Sequence, residues 1–290
     1  MVYSYLIYGG SPYTAYSLWK GDEQNLKNYR IIDAHCHIYP DKIAAKASEA
    51  TGHFYEMPSR LDGKISTLLD RGDAAGIDHF VVQSVATTPA QVSSINRFIA
   101  ESVAKSGGRF TGLGTLHPDS EDMEADVNEV ISLGLKGIKL HPDIQRVRLD
   151  DERMHKMYRL CEGRLPMLIH TGDNRFDYSN PNRMIPILEA YPRLTVIGAH
   201  FGGWSVWDEA TEKLCHYERF YVDCSSSLYA LTPERAREII MAYGVDKVLF
   251  GTDYPMWYPE GELERFMAID LTEAQREDIL YNNAAKLFGI

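Results

Sequence analysis

Short apolar runs recur along most of the chain, and longer amphipathic stretches separate them. The runs at 31–32, 78–86, 110–116, 136–140, 166–169, 194–199, 219–223 and 247–251 have the length and branched content of buried strands. Between them, 64–76, 89–106, 120–133, 150–162, 181–190, 204–217, 232–243 and 272–280 repeat apolar residues at helical spacing. Glycines 76, 107, 108, 134 and 163 stand where helices should stop, and Thr232-Pro233 offers an N-cap followed by a first-turn proline. Strand–helix alternation implies parallel strands. Eight such units in about 260 residues predict a closed (β/α)8 barrel, the α/β TIM-barrel class, spanning residues 30–290. An open doubly wound sheet would need a glycine-rich phosphate loop after its first strand, and this first strand runs into His-Cys-His instead.

Several runs end in the same manner: an abrupt His or Asp. His35 and His37 follow the first, His141 the fourth, His170 the fifth, His200 the sixth and Asp253 the eighth. A parallel barrel gathers these ends on one face, where barrel enzymes keep their catalytic groups. Residues two apart on a strand share a face, so His35 and His37 should project together. One buried histidine is more often a hydrogen-bonded core residue than a ligand, but five runs that all end in such groups are hard to read that way. Neutral imidazole is a common ligand of zinc and related divalent metals.

With these motifs on the page, the chain resembles the amidohydrolase superfamily, and more closely its branch of metal-dependent hydrolases and decarboxylases. The resemblance rests on D-A-H-C-H, L-I-H-T-G, I-G-A-H-F-G-G, L-F-G-T-D-Y-P and N-N-A-A-K-L-F, and it covers 31–290. It implies that His35, His37, His170 and Asp253 bind one divalent metal, with His200 beside it. Zn²⁺ suits three nitrogens and one oxygen, and Mn²⁺, Fe²⁺ or Co²⁺ would fit. Asp253 and His200 are then the expected catalytic groups. A water activated by the metal would attack an amide, ester or lactone, the first expectation. The alternative with the same ligands is non-oxidative decarboxylation of an aromatic or unsaturated acid. A barrel that only binds a ligand is the third reading.

Other residues are candidates for substrate contact. Lys139 and His141 share strand parity, so both face the site or neither does. Arg60, in the long connection 41–63, and Arg175, after His170, are candidate clamps for a carboxylate. Asp33 has the parity of His35 and is expected either to hold a ligand histidine or to cap a helix. Cys36 should face the outer helices.

Composition narrows the partners. The 290 residues carry a formal net charge of -11 with 44% hydrophobic residues. So acidic a surface disfavours nucleic acid and anionic membrane and leaves a small-molecule substrate. Four cysteines without C-x-x-C spacing and a first segment without signal-peptide character are read as a cytoplasmic protein. Residues 1–29 are expected to be an extension whose tyrosines pack on the barrel or on a second subunit, as in a homodimer.

Overall fold

The computed structural model describes residues 29–290. The strands are β1 (Ile32–His37), β2 (His79–Gln83), β3 (Phe110–Gly112), β4 (Gly114–Thr115), β5 (Ile138–Leu140), β6 (Met167–Ile169), β7 (Val196–Gly198), β8 (Phe220–Asp223) and β9 (Val248–Leu249). All pair in parallel, in the orders β1-β2-β3 and β4-β5-β6-β7-β8-β9. β3 and β4 are two halves of one stave. The Leu113 amide between them donates to Val82 at 2.9 Å and Gly114 to Gly137 at 2.9 Å, so the ring continues through the break. The ring closes where Ala34 donates to the Phe250 carbonyl at 2.9 Å and His37 to Tyr254 at 2.7 Å. The predicted eight-stave barrel is the observed fold.

Alternation along the strands sorts the core into two layers. Val81, Leu168, Ile197 and Leu249 fill the lumen. Their neighbours Phe80, Val82, Met167, Ile169, Val196 and Val248 face outward, under the helices. On β5, Ile138 and Leu140 belong to the outer layer, so Lys139 between them points inward. Cys36 packs in the outer layer as expected.

The helices are α1 (Asp41–Tyr55), α2 (Ile65–Ala75), α3 (Val92–Lys105), α4 (Met123–Ser132), α5 (Pro142–Gln145), α6 (Glu152–Cys161), α7 (Pro181–Ala190), α8 (Trp207–Leu214), α9 (Pro233–Tyr243), α10 (Pro259–Met267), α11 (Glu273–Glu277) and α12 (Asn283–Phe288). Thr232 caps α9 by accepting from the Arg235 amide, as its sequence predicts. α12 sends Ala284 and Phe288 into the lumen cluster and plugs it. Two segments differ from expectation. The connection after β1 is largely α1, an Ala-rich helix of 15 residues, rather than a loop. α10 forms in a stretch to which the sequence reading assigns no element. No helix among the described residues is long and apolar enough to cross a membrane. The tyrosine-rich extension lies outside the described residues except for Tyr29.

Candidate metal centre and active site

The pairing of β1 with β2 slips between Asp33 and Cys36. Below the slip, Ile32 and Ala34 face the lumen, and above it His35 and His37 reach the cavity. Asp33 therefore loses the parity it was expected to share with His35. Its Oδ1 accepts from the His35 amide at 3.2 Å and the Thr252 amide at 2.9 Å, and its Oδ2 from the Thr252 hydroxyl at 2.5 Å. It holds the backbone beside two site residues and touches no imidazole. Burial raises its carboxyl to about 6.

Three side chains meet at the C-terminal mouth of the barrel. His35 Nε2 lies 3.2 Å from His37 Nε2 and 3.4 Å from Asp253 Oδ1, and His37 Nε2 lies 3.7 Å from the same oxygen. Metal–ligand bonds of about 2.0–2.2 Å set tetrahedral ligand edges of roughly 3.3–3.6 Å, so this spacing fits one divalent cation. Burial, helped by the nearby Lys139 ammonium, depresses both imidazoles well below their usual range and keeps them neutral, as ligands must be. Asp253 adopts a left-handed backbone, φ 57°, which turns its carboxylate back over the barrel mouth. The Ser226 hydroxyl donates to its Oδ2 at 2.6 Å, and Trp257 Nε1 donates to Ser226 at 2.9 Å. Burial pushes the Asp253 carboxyl up.

His170 belongs to a neighbouring group with His141 and Asp143. Its Nδ1 is 3.1 Å from His200 Nε2 and 3.3 Å from the Tyr55 hydroxyl. Its ring stacks on His141 with centroids 4.0 Å apart. Its Nε2 lies 3.6 Å from Asp143 Oδ2, and that nitrogen and Asp143 Oδ1 are both buried without a hydrogen-bond partner. The Tyr55 hydroxyl is 2.5 Å from His141 Nε2. His200, also at positive φ (61°), directs Nδ1 to the Ser225 carbonyl at 3.0 Å. Nε2 then carries the lone pair, and burial lowers the ring to about 3.

Lys139 and His141 both face inward. Lys139 Nζ lies 3.1 Å from His35 Nε2, and burial lowers its ammonium below the usual lysine range. Arg60 and Arg175 are not brought to the site. Arg60 lines a separate groove behind α1, with its guanidinium over the Trp257 ring. Arg175 is held by Asp173 through two bonds of 2.9 and 2.7 Å and donates to the Phe54 carbonyl at 2.8 Å. A guanidinium so fully engaged braces the end of α1 instead of waiting for a ligand.

Sequence reasoning missed Asp223. Its Oδ2 lies 2.9 Å from His35 Nδ1, and its Oδ1 accepts from the His200 and Ser225 amides at 3.1 Å each. A carboxylate behind a ligand imidazole fixes the tautomer and leaves the other nitrogen free for the metal. The signal was available: Phe220-Tyr221-Val222 is another apolar run ending in Asp. Tyr55 was also passed over, because a helix had to be recognised before its inward face could be.

These groups close the inner end of a cavity of about 670 Å³. α1 forms one side of it, and residues from β2 to α3 another. Trp204 and Trp257 stand outside it, packed with Tyr55 and Tyr229 around a cleft of about 10 Å³.

The chain and its fold have relatives. Over 243 residues the chain is 24% identical to a 2-amino-3-carboxymuconate-6-semialdehyde decarboxylase from Dictyostelium discoideum, matching 68% of this chain and 66% of that protein. An uncharacterized TIM-barrel protein from Bordetella bronchiseptica superposes with a TM-score of 0.74 at 22% identity, covering 90% of this chain and 98% of the other. A dihydroxybenzoic acid decarboxylase from Polaromonas sp. JS666, solved with bound manganese and 2-nitroresorcinol, gives 0.69 at 18% identity, covering 90% and 97%. Residues 32–290 match the amidohydrolase family along nearly the whole described chain, and the protein belongs to that family of enzymes.

Proposed function

We propose that the protein is a metal-dependent carboxy-lyase that releases CO2 from an aromatic or unsaturated carboxylic acid. The charge layout of the cavity carries this reading. Asp253 is the only carboxylate lining it among the described residues, against Lys139 at the inner end and Lys46 at the rim. A divalent ion held by His35, His37 and Asp253, with His170 as fourth ligand, adds two positive charges. On a chain of net charge -11, this local excess suits a substrate carboxylate. A neutral amide, ester or lactone, the substrate of the hydrolase expectation, would leave it uncompensated. The decarboxylase names of the Dictyostelium and Polaromonas relatives support the same choice.

When bound, the metal supplies Lewis acidity that draws charge from substrate oxygens; Zn²⁺ suits the donor set, and Mn²⁺ is the ion of the Polaromonas relative. Lys139 pairs with the carboxylate and holds the acid by one end. Asp253, beside the metal, relays a proton taken up from solvent to the carbon bearing the carboxylate. The carbon–carbon bond then breaks and its electron pair returns to the unsaturated system. One proton is consumed and one CO2 leaves. His200, which lines the cavity with Nε2 3.1 Å from His170 Nδ1, is placed to accept a hydrogen bond from a substrate hydroxyl.

The test is incubation of metal-loaded protein with hydroxybenzoates and unsaturated acids in D2O. CO2 in the headspace, with one deuteron on the carbon that lost it, is the expected result. A product that has gained the elements of water, with no CO2, would refute the proposal.

A further inference from the structure

The cavity is much larger than the chemistry at its inner end requires. A void of about 150 Å³ holds a benzene ring, and this one has about 670 Å³. Its depth comes from α1, which sets Ile43, Ala47, Ala50 and Phe54 along one wall at helical spacing. Val85, Ile95 and Phe98 line it from β2 to α3. Ile43, at the rim, is 47% exposed, the most exposed of the large apolar side chains among the described residues.

Apart from Lys46 at the rim, most polar side chains in the outer part are bonded within the protein. The Ser84 hydroxyl donates to the Ile38 carbonyl at 2.5 Å, Thr51 to Ala47 at 3.1 Å and Ser94 to Gln91 at 3.0 Å. Gln91 Oε1 accepts from the Thr87 and Thr88 amides. Away from the inner end, the wall therefore offers a ligand mainly apolar contact and few unmet polar groups. Such a surface is matched by a hydrocarbon, and it penalises polar substituents that lose water without gaining a partner.

We infer that the substrate acid carries an extended apolar tail, which lies in the channel between α1 and α3 while the carboxylate sits at Lys139. The identity of the head group rests on the carboxy-lyase reading; the tail rests on the channel. A substituent para to the carboxylate points directly away from it, so 4-alkylbenzoates are suitable probes.

The experiment is calorimetric titration of the metal-loaded full-length protein with 4-methyl-, 4-butyl- and 4-heptylbenzoate. Each methylene removed from water strengthens binding by up to roughly fourfold, so butyl should bind at least ten times more tightly than methyl, and heptyl no more weakly than butyl. Ala47→Trp and Ala50→Trp, two independent ways to fill the channel, should bring the butyl-to-methyl ratio close to one. A flat series in the native protein, or an undiminished ratio in a folded tryptophan variant, would overturn the inference. The two proposals can fail separately. Chain-dependent binding without CO2 from 4-alkylsalicylates would refute the carboxy-lyase reading and uphold the tail site. CO2 from salicylate with a flat alkyl series would do the reverse.

Discussion

Asp223→Asn is expected to weaken metal binding by reversing the tautomer of His35. Asp223 is wholly buried. Its Oδ1 faces three donors: the His200 amide and the Ser225 amide at 3.1 Å, and the Ser225 hydroxyl at 2.5 Å. Two of these are backbone N–H groups that cannot turn away, so this position must hold an oxygen. Asparagine would keep its carbonyl there and place its NH2 where Oδ2 now meets His35 Nδ1 at 2.9 Å. Nδ1 would have to accept, and the ring proton would move to Nε2, the atom that faces His37 and Asp253. A protonated nitrogen has no lone pair for a metal. The opposite amide orientation sets NH2 against two N–H donors and leaves buried groups unpaired, at about 1–3 kcal/mol each. Loss of such an orienting partner typically costs 10- to 100-fold in metal affinity, about 1.4–2.7 kcal/mol. The assay is titration of stripped protein with Zn²⁺ and Mn²⁺ against a competing chelator, for the native chain, Asp223→Asn and His35→Ala. Native affinity in the asparagine variant would refute the tautomer argument. A loss as complete as that of His35→Ala would make Asp223 itself a ligand.

Three further outcomes can be checked. His200→Ala should lower turnover by roughly 10²–10⁴ while elemental analysis still finds the metal; metal loss equal to that of His35→Ala would make His200 a ligand. Burial raises the Glu262 carboxyl from 4.5 to about 7 despite Arg265, and Oε2 has no partner. The folded state therefore favours its protonated form, so the cost of burying it is absent below pH 4.5, grows up to pH 7 and is full above that. Glu262→Gln should raise stability by about 1–3 kcal/mol at pH 8 and by much less at pH 5, as read by chemical denaturation at both values; a gain independent of pH would contradict the assignment. Gly172, just after His170, has φ +81°, and a Cβ there would lie 2.5 Å from backbone atoms of Gly203 and Trp204. Gly172→Ala should cost about 1–3 kcal/mol, and an unchanged melting temperature would show that the loop yields.

Local sequence already specified the barrel and the strand ends gathered at its mouth. Both follow from local periodicity. An apolar run with period two must bury its faces, and the polar residue that ends it is carried to the mouth along with every other strand end. Hence the placement of His35, His37, His170, His200 and Asp253 at the barrel mouth was legible without coordinates, and so was the outward turn of Cys36. Contacts between distant segments set the rest. The slip in β1 turned Asp33 away from the imidazoles, and strand parity cannot show a slip. Asp223 reaches His35 across 188 positions of sequence because the barrel closes and brings the end of β8 beside β1. Arg175 was taken out of the site by Asp173, two residues away, and by the end of α1. The channel exists because α1 stands over the barrel mouth. Its inward face could be drawn on a helical wheel, but what it faces is set by the packing of the whole barrel.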